Sequence, residues 1–62
     1  MSSLERWRKR QNLTYAAMAI VLDEHVSSVF AWCVQGRKPH PSRWKKISRI
    51  TKLSKAQIVG IA

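Results

Sequence analysis

With 12 Lys and Arg against 3 Asp and Glu in 62 residues, the chain is short and carries a formal net charge of +9. A domain of this size buries only roughly 60% of the surface its unfolded form exposes, which argues against a deep catalytic pocket. The charge implies a polyanionic partner: nucleic acid first, an anionic membrane surface second and an acidic protein third.

In chain order, Ser3 is expected to cap a first helix, with Glu5 in its first turn and Leu4, Trp7 and Gln11 along one side. Arg6, Arg8, Lys9 and Arg10 cover the rest; charges packed so closely repel, so this face is either simply solvated or opposed by an anion. Asn12 is expected to end the helix. Thr14 is a good N-cap for a second helix at about 15–22, where Met18, Ala19 and Leu22 recur at three- and four-residue intervals and form one stripe. Asp23 then occupies a polar turn, Asp23-Glu24-His25, at a position that wants left-handed backbone angles. A third helix is predicted from Val26 to Val34 or Gln35, with Val29 and Trp32 inward and Gly36 as its stop.

Two prolines spaced by one residue make Arg37-Lys38-Pro39-His40-Pro41 a short, stiff, basic loop. Ser42 is expected to cap a fourth helix whose inward stripe is Trp44, Ile47 and Ile50, with Arg43, Lys45, Lys46, Arg49 and Lys52 elsewhere. Ser54-Lys55-Ala56-Gln57 reads as a capping box that opens a last helix carrying Ile58 and Ile61. Nothing alternates like a strand. The expected fold is therefore all-α, one compact five-helix domain over 1–62, in which 13–36 forms a helix-turn-helix that offers the outer face of its second helix to a partner. Ile58, Val59 and Ile61, with Ile20 and Val21, are more apolar side chains than one small core obviously needs; they are either core or a dimer contact.

The longest apolar run, 15–22, is eight residues, against the ~18–20 that span a bilayer, and the basic start has no apolar stretch of signal-peptide length. Asp23, Glu24 and His25 are contiguous rather than convergent, and two histidines with one cysteine fall short of a four-ligand zinc site. No enzymatic activity, metal, cofactor or small-molecule ligand is expected. His25 is read as a surface or phosphate-side residue and Cys33 as a small, semi-buried hydrophobe. A lone cysteine makes no internal disulfide, which fits a reducing, cytoplasmic compartment.

Charge is lopsided along the chain: 11–36 holds no Lys or Arg, and every cation lies in 6–10 or 37–55. Phosphate contacts set register while base-edge contacts carry sequence information, so the flanks are expected to grip and the helix-turn-helix to read. Arg10, Arg37, Lys38 and Arg43 are the candidate phosphate clamps. Thr14, Tyr15 and Ser28 add hydroxyl or backbone N–H contacts, with the second helix pointing its N-terminus at a phosphate.

These residues resemble the helix-turn-helix domain of lambda-type phage repressors, Cro proteins and their bacterial relatives, over about 13–58. The resemblance rests on Leu13-Thr14, Ala19, the Leu22…Val29…Trp32 spacing, Gly36-Arg37-Lys38-Pro39 and the Trp44…Ile47…Ile50…Leu53-Ser54 tail. The chain departs from the family pattern in holding Asp23 and Glu24 where a glycine and an apolar residue are usual, and in one extra residue between Trp32 and Gly36. The resemblance implies a sequence-specific double-stranded DNA-binding regulator, a repressor or Cro-type protein acting as a homodimer on a palindromic operator in a prokaryotic or phage-infected cell. It places the base-reading positions at Val26, Ser27 and Ala31, with Phe30 adjacent, on a recognition helix over 26–35. Val26, Phe30 or Ala31 suit a thymine methyl, and Ser27 and Gln35 can hydrogen-bond to base edges; Phe30 and Val26 are otherwise core or a dimer contact. Two further readings stand beside this one. The same motif can serve RNA or a protein, as in an antitoxin or anti-repressor, or a cationic chain with three tryptophans can lie on a membrane surface.

Overall fold

Four of the five helices begin where a side chain or backbone group replaces the hydrogen-bond partners that a first turn lacks. The computed structural model describes residues 2–60. In it α1 (Ser3–Arg10) is capped by Ser2, whose Oγ accepts from the Glu5 amide at 3.0 Å. The cap therefore falls one residue earlier than expected. Ser2 has the extended backbone that a cap needs, whereas Ser3 is already helical, buried, and accepts a hydrogen bond from the Arg6 guanidinium at 3.3 Å. Thr14 caps α2 (Tyr15–Leu22) by accepting from Ala17 N–H at 3.0 Å, and His25 caps α3 (Val26–Val34) through Nδ1, which accepts from Ser27 N–H at 3.2 Å. Ser54 and Gln57 form the expected capping box at α5 (Lys55–Val59).

Ser42 does not cap the fourth helix. Pro41 fixes a helical φ early and opens a 3-10 turn, Pro41–Arg43, that runs straight into α4 (Trp44–Thr51), so Ser42 lies inside the turn. His40 does the capping, its Nδ1 accepting from Ser42 N–H at 3.1 Å, and the Trp44 indole N–H closes the loop by donating to the Pro39 carbonyl at 3.0 Å.

Two helix ends close in the same way. Leu13 N–H donates to Arg8 O and Asn12 N–H to Lys9 O after α1; Glu24 N–H donates to Ala19 O and Asp23 N–H to Ile20 O after α2. This six-to-one, five-to-two pattern needs a left-handed residue, usually glycine; here Asn12 (φ 60°) and Asp23 (φ 54°) supply it. The Asp23-Glu24 departure noted above is thus accommodated, since Asp tolerates that region better than most side chains. Gly36 (φ 71°) follows the end of α3 as expected.

Packing neighbours form a closed circuit: α1 against α3, α3 against α2, α2 against α4, α4 against α5 and α5 against α1. Each helix turns a stripe into the middle: Leu4 and Trp7, Met18, Ala19 and Leu22, Val29, Trp32 and Cys33, Ile47, and Ile58, with Leu53 from the connection before α5. Trp44 and Ile50 pack on this core half-buried, while Gln11, expected on the inward side of α1, is exposed. Ile58 and Val59 are buried, so they belong to the core rather than to an external contact; Ile20 (81% exposed) and Val21 face outward, and Ile61 lies outside the described residues. A radius of gyration of 10.0 Å matches what a fully collapsed chain of this length gives. No single described helix is long and apolar enough to cross a membrane, and α2 and α3 are bent by 113° across their three-residue break.

If the turn after α2 needs the left-handed backbone rather than the Asp side chain, Asp23→Val should lower stability by about 1–2 kcal/mol and Asp23→Gly should not lower it. At this size each kcal/mol moves Tm by roughly 4–8 °C. Equal losses in both variants, measured by thermal denaturation, would show that the carboxylate itself holds the turn.

Candidate nucleic-acid interface

The outer face of α3 is apolar and polar but uncharged. Val26 (43%) and Phe30 (39%) are exposed, as are Ser27, Val34 and Gln35, while Ser28 and Ala31 are half-buried. Ser27, Ser28, Ala31 and Gln35 line a shallow depression together with Arg37, which the chain reversal at Gly36 returns to the helix; the Arg37 amide donates back to the Ala31 carbonyl at 3.2 Å. A cation from the loop is therefore delivered to the edge of a helix that has none of its own.

From Arg37 the positive charge continues away from α3. Arg37 and Lys38 share a groove with Arg6, and Arg6 shares the next depression with Arg10. Arg6 was not among the phosphate candidates, although its i,i+4 relation to Arg10 places both on one face of α1. Of the expected clamps, Arg10, Arg37 and Lys38 thus belong to one basic ridge. Arg43 lies elsewhere, 3.6 Å from the Glu24 carboxylate.

Glu24 had no assigned role in the sequence reading. Its side chain is only 4% exposed, yet it sits between Arg43 and Lys46, with Lys46 Nζ at 2.5 Å. Oε2 makes no well-formed hydrogen bond and is compensated by charge alone. Lys46 also donates to the Asp23 carbonyl at 3.0 Å, so the turn before α3 is tied to α4 twice. Acid beside a left-handed residue reads as a solvated turn in sequence; only the fold reveals the cations 19 and 22 residues downstream.

Arg8 and Tyr15 are also committed internally. Arg8 forms a two-pronged ion pair with Glu5 (2.7 and 3.1 Å), donates to the Leu13 carbonyl at 2.8 Å and stacks over the Tyr15 ring at 4.2 Å. The opposing anion for this part of α1 is thus within the chain. The Tyr15 hydroxyl donates to Glu5 at 3.1 Å, and its ring meets Phe30 edge to face at 5.2 Å. Thr14 Oγ1 is exposed but occupied as a cap. His25 is exposed at the start of α3 with Nδ1 2.7 Å from Ser27 Oγ. Cys33 is buried beside Met18, and burial pushes its thiol up to about 11, so it is a packed hydrophobe rather than a nucleophile. Among the described residues no three His, Cys, Asp or Glu side chains converge to hold a metal ion.

Comparison with family models, with curated proteins and with solved structures gave no match to this chain.

Hydrogen bonds from Arg8 hold the Glu5 carboxyl below the ordinary carboxylate range, against the opposing effect of its burial. A carboxyl whose pKa is lower in the fold than in the unfolded chain stabilises the fold above the unfolded value, about 4.3, and loses that contribution as pH falls through the folded one. Glu5→Gln should accordingly be less stable than the parent at pH 7, with a shallower loss of stability below about pH 4.3. Parallel acid limbs in urea titrations of the two proteins would rule this out.

Proposed function

We propose that the chain is a sequence-specific double-stranded DNA-binding transcriptional regulator, of repressor or Cro type, in which α2 and α3 act as a helix-turn-helix and α3 enters the major groove. The observation that carries this reading is the exposed, cation-free face of α3 with Arg37 at its edge and a basic ridge running on from there. A 113° bend between the helices falls in the range of helix-turn-helix motifs, 90–120°. Val26, Phe30 and Ala31 pack on thymine methyl groups, and Ser27 and Gln35 hydrogen-bond to base edges. Arg37, Lys38, Arg6 and Arg10 neutralise phosphates, and Arg43 joins them to the extent that it leaves Glu24.

The protein binds a palindromic operator as a homodimer, with recognition helices one DNA turn, ~34 Å, apart. The domain's largest extent is 24 Å, so abutting copies meet that spacing only with α3 on the outer half of each. Occlusion of polymerase is the simplest regulatory consequence. The compartment that suits this role is the nucleoid of a prokaryotic or phage-infected cell.

Selection of bound sequences from a random DNA pool, followed by a salt titration, tests the assignment. A dimer that neutralises about eight phosphates gives a slope of log K against log salt near −7. Arg37→Ala or Lys38→Ala should flatten that slope on every sequence alike, whereas Ser27→Ala or Ala31→Ser should change which sequence wins. The reverse pattern would overturn these roles, and preference for an RNA pool would move the same interface to RNA. Replacing a contacted thymine by uracil should weaken binding about fourfold, the value of one buried methyl group; if no thymine in the selected half-site responds, the apolar reading face is wrong.

A further inference from the structure

A second surface lies on α4 and α5 and shares no residue with the α3 depression or the basic ridge. Pro41, Trp44, Lys45, Ser48, Arg49 and Lys55 line a groove of about 660 Å³. Its size falls within the 300–1,000 Å³ typical of ligand sites. Lys45, Arg49 and Lys55 are exposed at its rim, and Lys45 and Arg49 are four residues apart on one helix face. The described ion pairs use Glu5 with Arg8, and Glu24 with Arg43 and Lys46. The chain's third acid, Asp23, is in the turn after α2. The rim cations therefore face an apolar floor with no carboxylate of the described residues paired to them, and a second copy of this acid-poor chain has little to offer them.

We infer that this groove is a docking site for an acidic peptide segment of another protein, one that inserts an apolar side chain against Pro41 and Trp44 while flanking carboxylates meet Lys45, Arg49 and Lys55. Charge complementarity selects an acidic occupant, and the floor selects a peptide over a nucleic acid strand. Phosphodiesters gain nothing from an apolar floor. A base would need an open aromatic face, but Lys55 Nζ stands 4.7 Å over the Trp44 ring and the indole N–H is spent on Pro39. A peptide needs neither of these, because an aliphatic or aromatic side chain packs beside the ring edge while its carboxylates compete for Lys55.

The test uses the full chain and a fluorescein-labelled peptide with Glu at alternate positions around one central Leu-Phe pair, read by polarisation and by amide and indole NMR shifts. The expected result is saturable binding that shifts the Trp44 indole and the Ser48 and Lys55 amides, weakened about tenfold by Lys45→Glu with Arg49→Glu. Lys45→Gln with Arg49→Gln should weaken it by a smaller factor, and Arg6→Gln with Arg10→Gln should leave it unchanged. A peptide with Ser-Ser in place of Leu-Phe should bind several-fold more weakly. Equal affinity for the Ser-Ser peptide, or shifts confined to Arg6, Arg10 and Arg37, would reduce the effect to general attraction between acid and base and overturn the proposal. So would tighter binding of a single-stranded oligothymidylate to the same groove, which would assign it to nucleic acid. None of these outcomes depends on whether α3 reads DNA.

Discussion

The turn that leads into α3 is held by one buried carboxylate. Glu24 follows the left-handed residue that ends α2, and its ion pairs to Lys46 and Arg43 fasten the turn to α4 and to the 3-10 turn before it. A carboxylate taken out of water loses several kcal/mol of hydration, which nearby cations or hydrogen-bond donors must offset. Lys46 offsets it at close range and also binds the Asp23 carbonyl, so the turn has charge compensation and a fixed direction from one side chain. A hydrophobic pair of similar volume could stabilise the turn equally well, but without the register that the Lys46 hydrogen bond to the Asp23 carbonyl imposes. Glu24 thus lies two residues before the start of α3, next to the His25 cap.

The same economy of acids shapes the outer surface. Glu5 is occupied by Arg8 and Glu24 by Lys46 and Arg43, leaving Asp23 as the one acidic side chain without a cation partner among the described residues. Nine of the twelve cations therefore pair with no carboxylate among the described residues. With screening over about 8–10 Å on a body 24 Å long, each of these charges is felt mainly by its neighbours within the same cluster. Self-repulsion of this kind weakens the compact state and is relieved by a polyanion, so in the proposed complex the DNA stabilises the fold that binds it. An acidic peptide on the α4–α5 groove would act in the same direction from the other cluster.

Local chemistry was legible in the sequence, and tertiary charge pairing was not. Thr14, Ser54 with Gln57, Asp23 and Gly36 each mark a boundary through a hydrogen bond or a backbone angle that involves only near neighbours; α2 and α5 start, and α2 and α3 end, where those residues place them, whereas the His25 cap of α3 was not foreseen. Where two candidates stood side by side the choice needed more. Ser2 and Ser3 differ as caps only in which has extended backbone, and Ser42 lost its role because Pro41 starts a turn one residue before it. At the interface, composition divided the chain into a cation-free reading segment and basic flanks. It did not show that Arg8 faces inward to Glu5, that Arg6 links Arg37 to Arg10, or that Ile58 and Val59 fill the core while Ile20 stays outside. Each of those depends on which helices are neighbours, and the circuit that joins α1 to α5 and α2 to α4 is not a local property.

Phe30 shows how the interior prepares the surface. Its ring is exposed enough to touch a partner, yet its edge-to-face contact with Tyr15 restrains it; Tyr15 is held by Glu5, and Glu5 by Arg8, so a line of contacts runs from α1 through α2 to α3. An unrestrained aromatic side chain gives up roughly 0.5–1.5 kcal/mol of rotamer freedom when a partner fixes it. Here part of that ordering is complete before binding, and an apolar side chain kept still on an uncharged helix face is better placed to distinguish a methyl group from its absence. Arg8 and Tyr15 thus contribute to recognition in the proposed complex without touching the nucleic acid, by fixing the aromatic group on the face that does.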